Sequence, residues 1–248
     1  MKTIFRLCVV ALCIQATLLS GQEQSYKVGD KIDSDVTVFN ADGEKVKMLD
    51  LVQADTRLIY LVILGGPSLN PERGSGGIWC EDSFNDLPVS TYNYFNFSQK
   101  GVLFVPVVCP PVYHERRFGY DKGFFMQEQD SENDFLKGFQ AFTQATKDLQ
   151  KQKIIPFDNV FFDPHFSLLF NHNRLKDRQN YPLKDVSWLG RFKPEGDTQI
   201  YSTPTIWLIL PDGTIVEGPF YGNRYSHRIR KITYTVRDIE KAIKRHIF

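Results

Sequence analysis

Cys80 is the residue best placed for covalent chemistry, within the run Trp79-Cys80-Glu81-Asp82-Ser83. A Trp-Cys-x-x-Cys run can close a disulfide on itself and pass two electrons, but with Ser83 in the fourth place that ring cannot form. Either the partner thiol lies elsewhere in the chain, or the thiol is not a redox centre. A second thiol, Cys109, follows an apolar run at 102–108 and precedes Pro110 and Pro111. Far downstream comes a proline turn, Ser202-Thr203-Pro204-Thr205. His114, His165, His172, His227 and His246 are scattered without a recognisable ligand spacing, so neither a metal nor a cofactor is expected.

The first residues decide which thiols remain. Lys2 and Arg6 give a positive start, an apolar run extends over 7–19, and the small Ser20 and Gly21 precede the polar Gln22, Glu23 and Gln24. This is the layout of a secretory signal peptide over 1–21. The run is shorter than the about 20 apolar residues of a spanning helix, and no later stretch comes closer. No stable membrane insertion is expected after cleavage, and the mature chain is expected to be secreted or periplasmic. Of 4 cysteines, Cys8 and Cys13 leave with the leader. Cys80 and Cys109 then remain where a disulfide persists.

With 42% hydrophobic and 24% charged residues the composition is that of a globular chain with a sizeable core. The formal charge is +1; loss of Lys2 and Arg6 leaves 28 basic against 29 acidic residues, a balance of −1. That balance carries no footprint of a nucleic-acid partner. Arg224, Arg228, Arg230 and Lys231 lack a recognition motif and read as a solvated face.

The elements that must position the thiols follow from periodicity. Residues 36–39 and 44–48 flank Asn40-Ala41-Asp42-Gly43 and predict a hairpin, since Asp-Gly supplies the positive backbone angles of a tight turn. The continuous apolar run at 58–64, ended by Gly65, Gly66 and Pro67, predicts a central strand buried on both faces. A segment through Phe84, Leu87 and Tyr94 predicts a helix that Pro88 would bend or interrupt. Residues 102–108 predict a second buried strand. Ser131 with Asp134 resembles a capping box ahead of Phe135, Phe139, Phe142 and Leu149 at helical spacing. A short strand is expected at 160–162 and a hairpin over Pro211-Asp212-Gly213. Thr235 and Asp238 are expected to cap a last helix whose Val236, Ile239, Ala242 and Ile243 face the core.

This order resembles the thioredoxin superfamily, particularly extracytoplasmic thioredoxin-like and redoxin proteins. The likeness runs from about Val28 to the C-terminus and is carried by Trp79-Cys80, Thr203-Pro204-Thr205 and Pro211-Asp212-Gly213, with Val28-Gly29-Asp30 and Asp42-Gly43-Glu44 at its start. It implies an α/β thioredoxin-like fold, a central mixed β-sheet flanked by helices. A single domain over 22–248 is expected, with insertions near 65–78 and 110–200 that expand the loops around the active-site face. The glycines at Gly74, Gly76 and Gly77 are not followed by Gly-Lys-Ser/Thr and do not make a phosphate loop.

The resemblance also assigns roles. Cys80, at a helix N-terminus, becomes the attacking thiol in thiol-disulfide exchange with protein thiols or disulfides. The dipole favours its thiolate by about 0.3–1 kcal/mol, less than the about 1.4 kcal/mol of one pKa unit. Glu81 and Asp82 oppose it, so a weakly activated thiol is expected. Ser83 can donate a hydrogen bond to the sulfur. Cys109 is placed near Cys80 by the parallel strands of such a sheet, either to resolve the mixed disulfide or to form a structural bridge. Trp79, Thr203 and a cis Pro204 become the substrate-binding face. A peroxidase would place Thr before the reactive Cys, where this chain has Gly76, Gly77, Ile78 and Trp79. The other reading is a binding module on the same scaffold, with Phe118, Tyr120, Phe124 and Phe125 beside Arg116, Arg117 and Lys122 as its surface.

Overall fold

Nine strands and three α-helices are seen in the computed structural model, which describes residues 25–109, 119, 132–162, 191–192, 203–221, 225–226, 231–232 and 234–248. In chain order the strands are β1 (Thr37–Phe39), β2 (Lys45–Lys47), β3 (Leu58–Gly65), β4 (Val102–Cys109), β5 (Phe161–Phe162), β6 (Thr205–Ile209), β7 (Ile215–Tyr221), β8 (Tyr225–Ser226) and β9 (Lys231–Ile232). Seven of them form one mixed sheet in the order β2-β1-β5-β4-β3-β6-β7, and β8 pairs with β9. β3 lies parallel to β4 in register from Leu58↔Val102 to Gly65↔Cys109 and antiparallel to β6. Every residue of β3 is buried, as its unbroken apolar run predicted.

The local signals explain the connections. Gly43 (φ +82°) and Gly213 (φ +91°) occupy left-handed positions in the turns between β1 and β2 and between β6 and β7, where a Cβ would be strained. α1 (Glu81–Phe97) follows the Cys80 turn, α2 (Glu132–Lys151) precedes β5, and α3 (Val236–Ile247) ends the chain. α1 runs unbroken through Pro88, so the expected interruption does not occur. The missing N–H costs about 3 kcal/mol in a helix interior, and burial of Leu87, Val89 and Phe97 against the sheet opposes that cost.

Thr235 caps α3 as predicted. Its side chain accepts the Asp238 N–H at 3.3 Å, and the Asp238 carboxylate accepts the Thr235 N–H at 2.7 Å. Thr235→Ala is expected to cost about 0.5–2 kcal/mol, read as a lower denaturant midpoint with an unchanged slope.

The sheet has two differently covered faces. Leu58, Tyr60, Val62 and Leu64 of β3 meet Leu87 and Phe97 of α1, Phe139, Phe142 and Leu149 of α2, and Ile239 and Ile243 of α3. Ile59, Leu61 and Ile63 point the other way, among Tyr26, Val36, Val38, Met48, Phe192 and Trp207. On that face the described cover is non-helical apart from short turns. Arg191 and Phe192 are fastened into it. The Arg191 carbonyl accepts the Tyr26 N–H at 2.8 Å, the guanidinium lies over the Tyr26 ring and pairs with Asp33, and Phe192 meets Trp207 edge-on at 5.5 Å.

The expected leader at 1–21, the Ser131 cap, the side chain of Phe135, the cluster from Arg116 to Phe125 apart from Gly119, and Arg224, Arg228 and Arg230 lie outside what the structure describes, as does most of the expected 110–200 insertion. Among the described residues no helix is long and apolar enough to cross a membrane.

Candidate active site

Cys80 is itself the N-cap of α1, with extended backbone angles (φ −95°, ψ 110°). A helix start leaves unpaired N–H groups, which oxygen-bearing side chains usually accept. Here the sulfur takes that part, receiving the Ser83 N–H at 3.4 Å. Across the turn, the Thr203 hydroxyl donates to Sγ at 3.2 Å, and the thiol donates to the Thr203 carbonyl at 3.4 Å. The Thr203–Pro204 bond is cis. The thiol therefore sits between a helix N-terminus and the proline turn, 123 positions apart in sequence.

Ser83 is fully buried, and its hydroxyl oxygen accepts the Gly65 N–H at 2.9 Å. This ties the start of α1 to the end of β3. Burial is the largest influence on Cys80 and pushes its pKa up. Hydrogen bonds from Ser83 and Thr203 pull the other way, and the Asp82 charge adds to the rise. The balance runs against activation of the thiol, with burial as its first cause and Asp82 as a lesser one.

Trp79 is 8% exposed, and its indole N–H donates to the Cys109 carbonyl at 2.7 Å, so the ring braces the strand ends. The strand ends do come together as the parallel register required: Gly66 N–H donates to the same Cys109 carbonyl at 2.6 Å, and Trp79 N–H to the Gly66 carbonyl at 3.1 Å. Yet no disulfide joins Cys80 to Cys109. The Cys109 side chain is fully buried in the cluster of Ile63, Val105 and Val107, whereas Cys80 packs against the cluster on the helix side. The pleat sets this, since successive side chains of a strand point to opposite faces. The expected bridge, catalytic or structural, is not seen between them.

Sequence reading missed the part played by Gly65. A Cβ there would lie 2.3 Å from the Cys80 Cβ and 3.2 Å from the Trp79 ring. A glycine closing an unbroken apolar run was the available signal. It also missed a buried polar seam along α1. Asp86, Ser90 and Asn93 are buried, and the Ser90 hydroxyl lies 3.5 Å from the Tyr60 hydroxyl. Among the described residues no group of three or more His, Cys, Asp or Glu could hold a metal ion.

A parallel β-α-β unit followed by an antiparallel hairpin and a final helix, with a cysteine opening the first helix opposite a cis proline, is a thioredoxin-like fold. No protein-family model matches the chain, and no curated protein does. Solved structures do resemble it. The thioredoxin domain of a thiol-disulfide oxidoreductase from Bacteroides vulgatus is 15% identical over 90% of this chain and 100% of that one, with a TM-score of 0.43. A thioredoxin-family thiol:disulfide interchange protein from Chlorobium tepidum is 13% identical over 91% and 99%, with a TM-score of 0.41. An uncharacterised protein from Geobacillus kaustophilus is 13% identical over 90% and 82%, with a TM-score of 0.44. At these scores the likeness carries no weight, and the fold assignment rests on strand order and site geometry.

Proposed function

We propose that this chain is an extracytoplasmic thiol-disulfide exchange protein acting through Cys80 on protein thiols or disulfides. The observation that carries the reading is the set of donors around one sulfur: the Ser83 N–H and the Thr203 hydroxyl both point at Sγ, at the N-terminus of α1. Such donors stabilise negative charge on sulfur, which attack on a disulfide requires. Thr203 and Pro204 border the sulfur and are the natural place for a substrate to lie. Export rests on the leader at 1–21, which leaves a single domain over 22–248.

A binding module is the second reading, favoured by the burial that raises the Cys80 pKa. Mass spectrometry of the purified protein treated with oxidised glutathione separates the two. Exchange predicts one adduct on Cys80, none in Cys80→Ser, and a rate that climbs with pH through and beyond the ordinary cysteine range, because little thiolate exists at neutral pH. The sign for stability is opposite. A fold that favours the protonated thiol keeps this contribution below the unfolded thiol pKa and loses it as pH rises through the native one. Wild-type protein without an adduct at any pH would leave the binding module standing.

A further inference from the structure

Resting on that exchange reading, we infer that Cys80 is a one-thiol carrier: the group it captures departs only to a thiol supplied from outside, and the overall reaction is disulfide interchange without net oxidation or reduction. The positions of the other possible resolving groups carry this. Ser83, where a second thiol would stand, is fully buried, and its oxygen is engaged by the Gly65 N–H at 2.9 Å. Cys109 is 0% exposed among Ile63, Val105 and Val107. Its strand end is clamped at the carbonyl by Trp79 Nε1–H and Gly66 N–H. To reach an adduct on Cys80, the Cys109 sulfur would have to leave that cluster. Cys8 and Cys13 are expected to leave with the leader.

The chemistry balances in two steps. The Cys80 thiolate attacks R–S–S–R′, forming a bond from Sγ to the sulfur of R and releasing R′–S⁻; the proton shed by Cys80 passes to solvent or to the departing thiolate. An external thiolate R″–S⁻ then attacks the sulfur of R, forming R–S–S–R″ and restoring the Cys80 thiolate. One disulfide is consumed and one is made, so no electron acceptor or donor is needed. The reaction before this one must supply a disulfide-bearing substrate, and the co-reactant is a low-molecular-weight or protein thiol.

The test uses purified wild-type protein loaded with a glutathionyl group, freed of excess reagent and followed by intact-mass and peptide-mass spectrometry. The adduct should persist without added thiol. With reduced glutathione its release rate should double for each doubling of thiol, and Cys109→Ser should behave the same. Spontaneous loss of the adduct with appearance of a Cys80–Cys109 bridge would overturn the one-thiol inference while leaving exchange intact. Failure to load Cys80 at all would instead remove the exchange reading, and this inference with it. The wild-type time course decides even if Cys109→Ser fails to fold.

Discussion

Ser83→Cys is expected to convert an adduct that waits for an external thiol into one that leaves unaided. The residue stands three places after Cys80, on the first turn of α1, with its backbone N–H donating to the Cys80 sulfur at 3.4 Å. A thiol introduced there is close enough to attack the adduct, release the captured group as a thiolate and leave a two-residue-spaced disulfide that stores two electrons. In the glutathione assay, release should lose its dependence on added thiol, and the protein should acquire a measurable reduction potential. The larger sulfur must also fit where the Ser83 oxygen accepts the Gly65 N–H, so a thermal melt accompanies the kinetics. A folded variant whose adduct still requires external thiol would contradict the geometry described for this turn.

The second large effect is expected from Gly65→Ala. The added methyl would stand 2.3 Å from the Cys80 Cβ, 3.2 Å from the Trp79 ring and 3.3 Å from the Ser83 oxygen. A Cβ is fixed to its main chain, so no flexible side-chain end can yield; the end of β3 or the start of α1 must move. Overpacking of this kind costs about 1–3 kcal/mol. Displacement of a reacting group by about 1 Å can cost on the order of 100-fold in rate. The variant should therefore unfold at lower denaturant and form the Cys80 adduct far more slowly while keeping its circular dichroism spectrum. An unchanged adduct rate would show that Cys80 does not depend on this close approach.

The parts of the fold that were legible in the sequence are those encoded locally. The apolar runs that became β3 and β4, the Asp-Gly turns and the Thr235–Asp238 cap each depend on a few adjacent residues. What was not legible depends on long-range arrangement. The parallel register that sets Gly65 beside Cys109 follows from topology, but the face taken by the Cys109 side chain depends on the pleat, where a shift of one residue reverses the outcome. That the Trp79 indole N–H is taken by a strand-end carbonyl is likewise a long-range outcome. Pro88 argued for a bend or a break, and the helix continues through it where its neighbours are buried. Asp86, Ser90 and Asn93 drew no reading from their polar character alone, yet their helical spacing after Ser83 places them inward, near Tyr60.

The fastening of Arg191 and Phe192 bears on the chain statistics of the site. Phe192 stands 11 positions before Thr203 in sequence, whereas β5 ends 41 positions before it. The entropy cost of bringing two points of a chain together grows with the logarithm of their separation, so holding Arg191 and Phe192 at Tyr26, Asp33 and Trp207 lowers the cost of setting Thr203 beside Cys80.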